Sequence, residues 1–82
     1  MTIANLPIAD FASSLSAMTD DEVFALMRDL EALSEQQSAG GRSVDADVLH
    51  KLHVTEDEIG RRYPGQLLQP YRDWKKRLDT TR

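Results

Sequence analysis

The sequence predicts an all-α fold, a compact bundle of four to five short helices, and three observations predict it. Four valines and three isoleucines never form an alternating run, so strand signals are nearly absent. Two tetrapeptides, Thr19-Asp20-Asp21-Glu22 and Thr55-Glu56-Asp57-Glu58, have the form of a capping box, in which a threonine and a glutamate each bond the other's backbone N–H at a helix start. Between these signals, larger apolar residues recur at steps of three and four, the spacing of one helix face.

A first helix is expected over residues 6–17, with Pro7 tolerated in its opening turn and Ile8, Phe11, Ala12, Leu15 and Met18 facing inward. The second spans 20–38 behind the Thr19 box, closed by a Met18–Val23 staple and stopped by Gly40-Gly41. Its inner stripe is Val23, Leu26, Met27, Leu30 and Leu33. A third is expected over 44–52 behind a Ser43 cap, burying Val44, Val48, Leu49 and Leu52. The Thr55 box, with Val54 and Ile59 as its staple, starts a fourth that Pro64-Gly65 cuts short. The last segment aligns Leu67, Tyr71, Trp74 and Leu78, with a break or kink near Gln69 because Pro70 lacks an N–H.

Eighty-two residues, 40% hydrophobic with eight alanines among them, make one small domain with a modest core. A chain this short buries only about 60–65% of its unfolded surface, so association would help it. Residues 1–5 and 79–82 are expected to fray. The absence of cysteine excludes a disulfide scaffold, a thiolate metal site and a cysteine nucleophile. No apolar run nears the roughly 18 residues of a membrane span, and the N-terminus lacks a basic-then-apolar leader pattern. The expectation is a soluble cytoplasmic protein with no membrane role.

The net charge of −4 hides a division: residues 1–60 carry −9 and residues 61–82 carry +5. The basic segment either packs on the acidic helices of its own chain or serves a partner. A solvated outer face is the simpler reading of its bases, with Tyr71 and Trp74 in the core.

Residues 49–59, Leu-His-Lys-Leu-His-Val-Thr-Glu-Asp-Glu-Ile, resemble the centre of a helix-turn-helix, with His53 at the left-handed position and Val54 plugging the corner. Glu56, Asp57 and Glu58 would then face DNA where a reading helix needs cations, so a purely structural corner is the stronger reading. Asp47, His50 and His53 spread over roughly 120° of a helix and lack a converging fourth ligand, so no metal is expected. Asp47 and Lys51 read instead as a surface pair one turn apart. The serines lie on caps and outer faces and no glycine-rich phosphate loop follows a strand, so neither an enzyme nor a cofactor is expected.

Phe24 falls roughly 60° outside the inner stripe of its helix, towards Glu31 and Glu35. Either the first or last helix covers it, or it is an exposed anchor for a partner. The functional expectation is a small acidic interaction module (a regulator, inhibitor, adaptor or assembly chaperone, of a phage-inhibitor kind) that holds a basic surface of another protein through Phe24, Glu31, Glu35, Asp20 and Asp21. Homo-oligomerisation through Phe24 or the last stripe is a further option. The alternative is a DNA-binding regulator using residues 47–63 with Arg61, Arg62, Arg72, Lys75 and Lys76.

Overall fold

The computed structural model describes residues 6–41 and 43–80, and these form four helices: α1 Ile8–Ser16, α2 Asp20–Ala39, α3 Ala46–Arg62 and α4 Gln69–Thr80. No strand occurs among the described residues, and none of their helices is long and apolar enough to cross a membrane. The expected fraying at 1–5 and 81–82 lies outside the described residues. At 79–80 it gives way to a helix that continues to Thr80.

Pro7 stands just before α1 as its N-cap, and its carbonyl accepts the first helical bond from the Phe11 N–H at 2.9 Å. The Thr19 box forms in full: Thr19 N–H donates to Glu22 Oε1 at 2.8 Å and Glu22 N–H donates to Thr19 Oγ1 at 3.2 Å. At the other end of α2 it is Gly41, φ 77°, that takes the left-handed conformation, where a side chain would be strained. Gln37 then closes the loop, its Oε1 accepting from the Asp45 N–H at 2.8 Å.

Two expectations for the chain's second half need correction. Asp45, not Ser43, caps α3: its Oδ1 accepts from the Asp47 N–H at 3.0 Å, so the helix begins at Ala46. The second box starts nothing, because α3 runs unbroken through it to Arg62. Thr55 is fully buried in mid-helix and donates its hydroxyl to the Lys51 carbonyl at 2.7 Å, which leaves no helix-turn-helix corner at residues 47–63. The break expected near Gln69 is present: residues 66–68 are not helical and α4 starts at Gln69, which puts Pro70 in the first turn, where its missing N–H has no helical partner to lose.

The core lies where α1 and α2 both pack on α3. Phe11 and Leu15 meet Val23, Leu26, Met27 and Leu30, and Ile59 closes the cluster from α3. Ala12 is exposed, while Leu33 and Val44 are half-buried. The expected Asp47–Lys51 pair forms, but Lys51 is buried and not on the surface: its Nζ meets the exposed Asp47 Oδ2 at 2.7 Å and stands 5.7 Å from the Phe11 ring centroid. α4 rests on α2 and contributes Tyr71 and Trp74 to the interior. Leu67 drops off the expected stripe, since it precedes the helix, and Leu49 and Leu78 remain partly exposed.

Candidate functional site

The candidate partner-binding residues share one side of α2. At about 100° per residue, Asp20, Glu31, Phe24, Glu35, Arg28 and Asp21 fall in that angular order within one arc about 100° wide. The inner stripe of Val23, Leu26, Met27 and Leu30 occupies a neighbouring arc and faces α3. The acidic arc is therefore a second working face of the same helix.

α4 lies on it. The Phe24 ring sits 5.8 Å from Trp74, 6.1 Å from Tyr71 and 6.1 Å from Tyr63, centroid to centroid. It is only 4% exposed, so it is part of the interior and not an exposed anchor. Aromatic pairs at these separations contribute about 0.5–1.5 kcal/mol each beyond the area they bury. Arg28 covers the outer side of Trp74 at 5.3 Å, and the Lys75 ammonium lies 4.7 Å from the Tyr71 ring centroid.

The carboxylates divide by whether α3 and α4 reach them. Glu31 Oε1 accepts from the Tyr71 hydroxyl at 2.6 Å and lies 3.6 Å from Lys75 Nζ. Burial, then this bond to a carboxylate, pushes the Tyr71 hydroxyl far above its ordinary pKa, which keeps it a donor. Asp20 accepts from the Tyr63 hydroxyl at 2.5 Å and from Arg62 Nη1 at 2.8 Å. Those two donors, Tyr63 first, hold the Asp20 carboxyl below its usual range. Asp21, at the edge of the arc, and Glu35, one turn beyond Glu31, remain exposed.

The bases considered for nucleic acid are largely engaged by this framework. Arg62 donates to Glu58 Oε2, to Asp20, and to the backbone carbonyls of Leu15 (2.8 Å) and Met18 (2.9 Å), which ties the end of α1 to the start of α2. Half-buried, Arg62 has four of its five N–H donors committed within the chain, which leaves a single Nη1 N–H to offer a phosphate. Arg61 grips both oxygens of Glu58, at 3.1 and 2.5 Å, and that grip is the main cause holding the Glu58 carboxyl low. Lys75 lies against Glu31. Arg72 and Lys76 are exposed on the outer side of α4; Arg72 reaches Gln69 at 3.5 Å, and Lys76 has a contact within the chain.

Among the described residues no group of three histidine, aspartate or glutamate side chains could hold a metal ion. Asp47, the nearest candidate, is committed to Lys51. Arg28 and Tyr63 belong to the site and were not anticipated. Arg28 had a readable signal, since it is the one base on the acidic arc. Tyr63 reaches Asp20 only through the fold and had none. No protein-family model matches the chain, and neither a curated protein nor a solved structure matches it.

Proposed function

We propose that the chain is a non-enzymatic protein–protein interaction module, a small regulator, inhibitor, adaptor or assembly chaperone that holds a basic surface of another protein on the acidic face of α2. A soluble cytoplasmic setting goes with this reading. One observation carries it: that face already holds a basic, aromatic helix, α4, through carboxylate, aromatic and cation contacts. Asp21 and Glu35 on the same arc, and Asp29 beside it, still face solvent and extend the acidic surface beyond α4. Charge complementarity of this kind speeds encounter and selects partners.

A second reading is nucleic-acid contact. With no corner at residues 47–63, it rests on the outer face of α4, where Arg72, Lys76 and Arg77 are exposed. Fluorescence anisotropy separates the two, using a labelled lysine-rich helical peptide and a labelled random DNA duplex at about 50 and then 200 mM salt. The peptide is expected to bind, and Asp21→Asn/Asp29→Asn/Glu35→Gln to weaken it about tenfold. Asp10→Asn/Glu56→Gln/Asp57→Asn, which changes the net charge equally on other faces, should leave it bound. Equal losses from both triple variants, or DNA binding that falls steeply with salt while the peptide stays free, would overturn the interaction reading.

A further inference from the structure

The helix that occupies the acidic face is joined to the rest of the chain by a segment built unlike a continuous fold. Between Tyr63 and Gln69 the backbone turns at Pro64-Gly65, with Gly65 at φ 78°, and again at Leu67, a non-glycine residue at φ 54°. A leucine in the left-handed region is strained, and strain of this kind persists only where something else repays it. Here the Leu67 side chain is 78% exposed, so burial does not.

The attachment of α4 is narrow. Tyr71 and Trp74 are its buried residues; they meet Phe24, Glu31, Arg28 and each other within the shared hydrophobic cluster, against which Leu68 also packs just before the helix. Leu78 lies on the same side of α4 as Tyr71 and Trp74, yet it is 42% exposed. Beside it Arg28, Lys75, Leu78 and Asp79 line an open depression of about 340 Å³. Phe11, Leu15, Val23, Leu26, Met27, Leu30 and Ile59 supply most of the hydrophobic cluster from α1, α2 and α3, and Tyr71 and Trp74 join it from α4 beside Phe24. Without α4, Phe24 would keep the stacked Tyr63 ring, 24° from parallel.

We propose that α4 is a displaceable self-ligand, and that its seat on α2 receives an amphipathic helix from the partner protein. The resident helix defines the chemistry of the incoming one: two aromatic residues three positions apart, to bracket Phe24 and lie under Arg28, followed by a cation to reach Glu31. Tyr71, Trp74 and Lys75 have this pattern. This inference rests on the interaction reading and deepens it, because α4 would then keep the acidic face covered until a better-fitting basic helix arrives.

Hydrogen exchange on the full chain tests the first half. The amides of 71–80 are expected to exchange at least about tenfold faster than those of 23–30 and 48–62, opening as a unit of their own. A labelled peptide of residues 66–80 tests the second half by anisotropy. Tyr71→Phe/Lys75→Ala weakens the resident helix and leaves the seat intact, so this variant should bind the peptide about tenfold more tightly than the wild type does, because the open fraction rises. Circular dichroism would check that α1, α2 and α3 persist in the variant. Exchange of α4 at the same rate as α2 and α3, or equal peptide affinity in both proteins, would overturn the displacement. Neither result touches the exposed carboxylates Asp21, Asp29 and Glu35, whose role the lysine-rich peptide measures separately.

Discussion

Thr19 and Thr55 head nearly identical tetrapeptides and meet opposite fates. Thr19 starts α2 with its side chain in solvent, whereas Thr55 lies fully buried in the middle of α3. The difference lies in the apolar rhythm that arrives at each box. On α3 the inward steps run Val48, Leu52, Thr55, Ile59 and Arg62, so the rhythm passes through the box and a continuous helix buries it. On α1 the same steps run Phe11, Leu15 and Met18, and the next lands on Glu22. A glutamate cannot continue a buried stripe without a partner, so the helix ends and a new one turns away from it. A capping box therefore states a local option, and side-chain burial on either side decides whether it is taken.

The sharpest way to break this contrast is a proline at an exposed position just before the second box. His53→Pro should cost about 3 kcal/mol or more, because it removes a bond and clashes inside a continuous helix, as urea denaturation would show. A stability change under about 1 kcal/mol would mean the helix is interrupted there after all. Arg62 comes next, since it links the inward rhythm of α3 to the α1–α2 turn. Arg62→Ala should cost about 2 kcal/mol by leaving Asp20, Glu58 and two carbonyls short of a donor.

The two threonines themselves give a smaller and more pointed pair. Thr19→Ala should lose about 1 kcal/mol with the cap. Acid should act in the same direction at this junction. Asp20, Glu22 and Glu58 are all held below their ordinary carboxylate values of 3.8, 4.5 and 4.5, so the folded state binds fewer protons than the unfolded one. Their contribution is present above those values and is lost as pH falls through the lowered ones. The melting temperature should decline as pH drops below about 4.5, and Glu58→Gln should flatten the decline; an unchanged melting temperature down to pH 3 would refute it. Thr55→Val should move stability least, within about 0.5 kcal/mol, because its hydroxyl bonds a carbonyl of its own helix and valine fills the same space.

The parts of the fold legible in the sequence are those settled within one helix. Both ends of α2 fall almost where the Thr19 box and the glycine pair place them, and Asp20, Asp21, Phe24, Glu31 and Glu35 can be assigned to one side of it from their spacing alone. The Thr55 box misleads because its local pattern is as good as that of Thr19, and only the stripe beyond it discriminates. Asp45 displaces Ser43 as a cap because Gln37, eight residues back, takes up the Asp45 N–H and holds that turn. The site was readable as a surface and not as an occupied one. That Phe24 is covered, that Arg62 is largely consumed and that Tyr63 reaches Asp20 all depend on how α4 and the end of α3 lie on α2, and no spacing within one helix encodes this.

Trp74 is the chain's single tryptophan, and it stands at the α2–α4 contact, between Phe24 and Arg28. Its emission is thus an optical reporter of one boundary and not of the whole molecule. When the protein is heated, a fluorescence shift that precedes the loss of the far-ultraviolet helical signal would register α4 lifting before the three-helix core melts. Coincident curves would report a single cooperative body. The natural protein carries this dye already in place, without any label to perturb it.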